Sequence, residues 1–142
     1  MGRIKKSKER KIGIGGVRKT APPNPNLRFS FKLFDLADPH VCPENFAEGY
    51  VRALMERLKG LSTWTVNEFV GNSDKSVRNH VITWEKTSRP DGFDLPEQYE
   101  AYRPFQFSIS ANERGRVHGL LIDDTFHLIW LDENHNLYAG SR

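Results

Sequence analysis

The segment from Gly115 to Tyr138 concentrates side chains that can bind phosphate or transfer protons. In its sequence, GRVHGLLIDDTFHLIWLDENHNLY, an arginine opens one apolar run, each run contains a histidine, and a polar stretch follows the second run. The candidate residues are Arg116, His118, His127, His135 and Tyr138. Arginine carries a fixed charge, histidine titrates near neutral pH, and tyrosine offers a phenol. This set is suited to phosphate recognition and acid-base chemistry.

The alternation of residues in this segment predicts a β-hairpin with a two-residue turn at 123–124. In that register His118 faces Ile129 and Arg116 faces Leu131. The arginine and both strand histidines then share one face, which we expect to be partly exposed. The opposite face, which we expect to lie in the core beneath helices, carries Val117, Leu121, Phe126, Leu128 and Trp130.

Two further interpretations of these polar residues stay open. Strand histidines often pack without any chemical role, and the polar stretch after the hairpin then serves only as a turn. A metal site is the other possibility, because His118, His127, Asp132 and His135 are ligand types, but their spacing matches no strong zinc or iron signature. We therefore predict no metal and no cofactor.

The residues before the hairpin predict the elements that must position it. LRFSFKLF, from Leu27, alternates like a strand with one buried face, and apolar residues recur at helical spacing from Pro43 to Leu61. Thr65 and Glu68 have capping-box spacing, which predicts a second, short helix. A short strand HVITW, a long loop at 88–104 and a strand FQFSIS follow. The order predicts an α+β fold, in which a helical hairpin packs on one face of an antiparallel sheet.

Composition and charge divide the chain of 142 residues into two parts. We predict a disordered basic arm with a Pro-rich connector over residues 1–26, and one α+β domain over residues 27–142. Residues 1–20 hold eight Lys and Arg against one Glu, or +7, while the remainder holds 13 against 17, or −4. The candidate nucleic-acid-binding residues of the arm are Lys5, Lys6, Lys8, Arg10, Lys11, Arg18 and Lys19.

The chain has no apolar run long enough to span a bilayer and no signal-peptide core. Its one cysteine, Cys42, cannot form an internal disulfide. We therefore expect a cytoplasmic protein without membrane association.

The order of these landmarks resembles the RelE/ParE toxin superfamily over residues 27–138. The likeness rests on a strand, a helical hairpin and a terminal antiparallel sheet, which closes with an Arg-led strand, an Asp-Asp turn, an apolar strand and a final His and Tyr. The resemblance implies a RelE-like fold and a small bacterial or prophage toxin that cleaves mRNA on the ribosome, or inhibits gyrase, and is neutralised by a cognate antitoxin. It also implies catalytic positions at Arg116, His135 and Tyr138, with His118 as a further candidate.

This chain departs from the family pattern in its acidic body, its ITWEKTSRPDGF insertion and its basic arm. The alternative function is a non-catalytic prophage or host-interaction protein that binds a protein through its body and nucleic acid through its arm. A metal-dependent nuclease is the second alternative.

The arm gives the first testable prediction. Deletion of residues 1–20 is expected to weaken RNA binding similarly for all sequences and to flatten its salt dependence, because each neutralised phosphate releases counterions. A plot of log K against log salt concentration for the full and shortened chains measures this. An unchanged slope would show that the arm does not bind the phosphates.

Overall fold

The computed structural model describes residues 25–71, 77–111 and 113–138, which form a five-stranded sheet with two α-helices. The strands are β1 (Arg28–Ser30), β2 (His80–Val81), β3 (Pro104–Ser108), β4 (Arg116–Ile122) and β5 (Thr125–Asp132), and the helices are α1 (Tyr50–Leu61) and α2 (Val66–Gly71). The strand order is β1-β5-β4-β3-β2. The predicted α+β class and the meander of β3, β4 and β5 are confirmed. Of the predicted basic arm and connector, residues 1–26, all but Pro25 and Asn26 lie outside the described residues.

The sheet is mixed, so the prediction of a purely antiparallel sheet is wrong at one edge. Strand β1 pairs in parallel with β5, while the other neighbours pair antiparallel. Strand β1 is also shorter than its alternating pattern, because the chain turns after it, with the Phe34 N–H donating to the Phe31 carbonyl at 3.1 Å. Phe31 is consequently exposed.

The two predicted helices follow one another along the chain as α1 and α2, and both bury apolar side chains in the same core. Glu68 N–H donates to Thr65 Oγ1 at 3.1 Å, and Thr65 N–H donates to Glu68 Oε1 at 2.8 Å, so the capping box is confirmed. Phe69 of α2 packs against the sheet. The centroid of its ring lies about 6 Å from the ring centroids of Phe105, Phe107 and Phe126. Helix α1 begins at Tyr50, later than its apolar pattern indicated, because Gly49 adopts a left-handed φ of 87°.

The long loop covers the other face of the sheet, which the sequence did not predict. The ring of Trp130 lies 4.8 Å from that of Phe93 and 6.2 Å from that of Trp84. His118 is fully buried beneath this cover. The expectation that the face with His118 is partly exposed is therefore wrong, because a second apolar layer closes it.

A β-bulge between His118 and Gly119 shifts the register of the last hairpin. Leu120 faces His127 as the two-residue turn requires, but His118 faces Trp130 and Arg116 faces Asp132. The bulge adds one residue to β5, which places Trp130 on the loop-covered face rather than beneath the helices. The predictions that His118 faces Ile129 and that Arg116 faces Leu131 are each wrong by one residue.

Among the described residues, no helix is both long and apolar enough to cross a membrane.

Gly119 allows the bulge, which gives a second prediction. A Cβ at this position would lie 2.0 Å from the backbone oxygen of His127, so Gly119→Ala must displace a strand. We expect it to lower the free energy of unfolding by roughly 1–3 kcal/mol, the usual cost of overpacking. Gly60→Ala is the matched control, because it adds the same methyl group to a helix with nothing within 4 Å. It should stabilise by about 0.5–1 kcal/mol.

Urea denaturation of both variants measures the difference. Equal midpoints for the two variants would contradict the role assigned to Gly119.

Candidate phosphate-binding site

A cleft of about 630 Å³ opens where β4 begins and β5 ends. We call it the arginine cleft, after the side chains that dominate its lining: Arg78, Arg114, Arg116, His80, His135 and Tyr138. Three of the four candidate catalytic residues therefore lie together, namely Arg116, His135 and Tyr138. The fourth, His118, is buried and does not line the cleft.

The three arginines of the cleft have no carboxylate partner among the described residues. Each donates instead to a backbone carbonyl. Arg78 Nε donates to Ala111 at 2.9 Å, Arg114 Nη1 to Glu48 at 3.0 Å, and Arg116 Nη1 to Gly115 at 3.1 Å. Such bonds orient a guanidinium group but leave its charge uncompensated, so the cleft favours an anion.

Of the three arginines in the cleft, Arg116 has the surroundings that are least favourable for a positive charge. Its side chain is half-buried, and its Nε lies buried without a hydrogen-bond partner among the described residues. Burial lowers the pKa of Arg116, and the nearby charge of Arg78 lowers it further, while Asp132 partly offsets both. An anion in the cleft would relieve the repulsion between the two arginines.

A tight backbone approach brings Arg114 and Arg116 to the same cleft. Gly115, between them, has φ of 67°, and a Cβ there would lie 1.9 Å from the carbonyl oxygen of Asp132. Only glycine fits this conformation and this distance. Arg114 itself has φ of 71°, a conformation that is uncommon outside glycine and is frequent at functional sites.

Asp132 holds the segment that carries His135 and Tyr138. Its carboxylate accepts the N–H groups of Asn136 and Leu137, both at 2.8 Å. Its backbone carbonyl accepts the N–H of His135 at 3.2 Å, and this histidine adopts φ of 59°. The chain after β5 is thereby folded back along the cleft.

The same carboxylate binds His118 beneath the cleft. The distance from His118 Nε2 to Asp132 Oδ2 is 3.1 Å, and both residues are buried. Burial lowers the pKa of His118 more than its carboxylate partner raises it. Burial alone would raise the pKa of Asp132, but its hydrogen bonds from His118, Asn136 and Leu137, with the charge of His118, lower it. The pair is therefore a neutral imidazole donating Nε2–H to an ionised carboxylate.

Tyr138 and His80 form the side of the cleft nearest β2. The Thr83 N–H donates to Tyr138 Oη at 2.7 Å, and the rings of Tyr138 and His80 lie 6.0 Å apart, edge to face. His80 faces Gln106 on β3. His80, Arg78 and Arg114 were not identified from the sequence. The signals were an arginine two residues before the histidine that opens the short strand, in RNH, and two arginines that flank a glycine in ERGR.

One carboxylate, Glu133, also lines the arginine cleft. Its two oxygens lie 3.2 and 3.1 Å from the Ala47 nitrogen, whose N–H they accept. This bond ties Glu133 to the segment that precedes α1. The charge of the lining arginines still outweighs the single carboxylate.

The structure separates the four residues considered as metal ligands. Asp132 contacts His118, but His127 faces Leu120 on one side and Ser30 on the other. Within the part of the chain that the structure describes, no group of three or more His, Cys, Asp or Glu side chains could hold a metal ion. Cys42 is buried, and burial raises the pKa of its thiol, as expected for a packing residue.

The buried His118 makes stability depend on pH, which is our third prediction. Its folded-state pKa lies below the unfolded value of about 6.5, so the unfolded chain takes up a proton that the folded chain refuses. Stability should therefore decline as the pH falls from about 7 to 5. Asp132 adds a further loss only below about pH 4, because its folded pKa is also lowered.

Chemical denaturation of the wild type and His118→Gln across this range tests it. The variant should be less stable than the wild type at pH 7 but lose less stability on acidification. A His118→Gln profile parallel to the wild type would show that this imidazole does not titrate on unfolding.

Comparison of the chain with models of protein families, with curated proteins and with solved structures finds no match. These comparisons therefore do not test the resemblance to the RelE/ParE superfamily, which stays a prediction.

Proposed function

We propose that the arginine cleft binds a phosphodiester of RNA and that the protein is a RelE-like, RNA-cleaving toxin of a toxin-antitoxin module. The observation that carries the proposal is the meeting of Arg78, Arg114 and Arg116 at one cleft without an ion-pair partner among the described residues. Uncompensated guanidinium groups on a folded surface are costly to hold together unless an anion binds there.

Phosphate is the anion that suits this geometry best. A guanidinium group can give two parallel hydrogen bonds to phosphate oxygens, and several such groups can share one phosphodiester or two successive ones. The open cleft also leaves room for the sugar and the base beside the phosphate, since it measures about 630 Å³.

The cleft offers groups for each requirement of RNA cleavage. A base removes the proton of the 2′-hydroxyl, the 2′-oxygen attacks phosphorus, and the bond to the 5′-oxygen breaks as an acid protonates that oxygen. We assign charge stabilisation at phosphorus to Arg116 and the two proton transfers to His135 and Tyr138, with His80 beside them. His118 then acts from below, as a positioning residue that orients the Asp132 carboxylate.

The toxin assignment extends the proposal to partners. The resemblance implies mRNA on the ribosome as the substrate and a small antitoxin protein as the inhibitor. Growth arrest on expression would support a toxin, and an open reading frame for a small protein beside the gene would support the antitoxin. A non-catalytic nucleic-acid-binding protein would bind RNA at the same cleft without cutting it.

The fourth prediction tests the cleft directly. Arg116→Ala and Arg116→Lys should lower RNA cleavage by roughly 100-fold or more, because an ammonium group cannot replace a bidentate guanidinium at the developing charge. His135→Ala and Tyr138→Phe should lose a similar factor of about 10²–10⁴ through proton transfer. Single-turnover cleavage of a labelled RNA, with growth arrest in cells, gives the readouts.

Arg52→Ala is the matched control, since Arg52 lies exposed on α1 and does not line the cleft. Thermal melting separates chemistry from folding, and the losses of activity should greatly exceed what any change in melting temperature explains. Full activity of the cleft variants, or losses that only follow their melting temperatures, would refute the proposal. Cleavage that EDTA abolishes would favour the metal-dependent alternative.

A further inference from the structure

A second pocket, of about 330 Å³, lies on the loop-covered face of the sheet, above Pro104 and Leu120. Four aromatic residues line it: Phe93, Tyr99 and Tyr102 of the long loop, and Trp84, which precedes the loop. Leu120 lies four residues along β4 from Arg116, so the pocket is about 13 Å along the strand from the arginine cleft. We call it the aromatic pocket.

The charge of this pocket is opposite to that of the arginine cleft. Asp91 and Glu100 line it, and its lining contains no Lys, Arg or His. Neither carboxylate forms an ion pair with a described residue. The two arginines of the loop are held elsewhere, because Arg89 Nη2 donates to Asp38 at 3.0 Å and the Arg103 guanidinium lies 5.3 Å above the Phe105 ring.

We propose that the aromatic pocket binds an arginine side chain of a polypeptide partner. The faces of aromatic rings carry partial negative charge and attract cations, and a planar guanidinium group stacks on them better than an ammonium group does. Asp91 and Glu100 supply the oxygen acceptors that a guanidinium fork needs. Both residues are exposed, so a purely apolar ligand would gain nothing from the two carboxylates.

The walls of the pocket are set before any ligand arrives. Trp84 packs edge to face against Phe93, with ring centroids 4.8 Å apart, and against Trp130 at 6.2 Å. Gly92 has φ of 82°, and a Cβ there would lie 3.4 Å from the Trp84 ring, so the turn packs closely on the indole. A short 3₁₀ turn at Glu97–Ala101 carries Tyr99 and Glu100. Pre-formed walls reduce the entropy cost of binding.

This inference does not rest on the proposed RNA chemistry. The arginine cleft favours an anion and the aromatic pocket favours a cation, so the two sites select different ligands. A partner that places an arginine in the aromatic pocket would lie on the same sheet face as the arginine cleft.

The test uses the full chain and a pair of blocked tripeptides, one with arginine and one with citrulline at the centre. Citrulline keeps the shape of arginine and removes its charge. The indole N–H of Trp84, followed by NMR during titration, should shift saturably with the arginine peptide, and the citrulline peptide should bind at least tenfold more weakly.

Matched variants locate the contact. The double substitution Asp91→Asn, Glu100→Gln should weaken arginine-peptide binding about tenfold, whereas Glu97→Gln, an exposed change on the same turn but outside the lining, should leave it within twofold. Equal shifts with both peptides, or equal effects of the double variant and its control, would overturn the proposal. So would saturable binding of adenosine in place of the arginine peptide, which would assign the pocket to a nucleobase.

Discussion

The buried carboxylate of Asp132 is the interaction on which the candidate site depends. It accepts hydrogen bonds from the His118 imidazole on β4 and from the backbone N–H groups of Asn136 and Leu137, so it joins β4 to the segment that follows β5. A buried ionised carboxylate is costly unless it is fully hydrogen-bonded, so the chain after β5 must fold back to supply the donors. His135 and Tyr138 reach the arginine cleft because that condition is met.

The same carboxylate explains why Arg116 remains available to a ligand. Arg116 faces Asp132 across the strands, and that charge stabilises it from a distance, but the carboxylate oxygens are engaged by His118 and the backbone. A guanidinium group close to a carboxylate would ordinarily form a bidentate ion pair with it. Here the histidine takes the place of the arginine, which leaves the arginine charged, partly desolvated and open to an external anion.

The sequence predicted the features of the fold that depend on residues close together in the chain. The capping box at Thr65, the two consecutive helices and the two-residue turn follow from residues close together in the chain, and the grouping of Arg116 with His135 and Tyr138 follows from their β-hairpin. The bulge was missed although Gly119, inside a strand, is a typical sign of one. The arginines before β2 and β4 were missed because their meeting depends on long-range pairing of β2, β3 and β4. The burial of His118 was missed because it depends on how the long loop packs.

The net charge of the whole chain hides differences between its two parts, and the net charge of the second part hides differences between its two sites. The chain as a whole is +3, yet the part after residue 20 is −4, which alone argues against a surface that binds RNA. The structure divides that part again, with uncompensated arginines at one end of a sheet face and unpaired carboxylates among aromatic rings farther along it. Fields within a cleft act over a few ångströms and are screened beyond about 10 Å at moderate salt. An acidic body can therefore hold a phosphate-binding site, because the ligand responds to the charges that line its cleft and not to their sum over the surface.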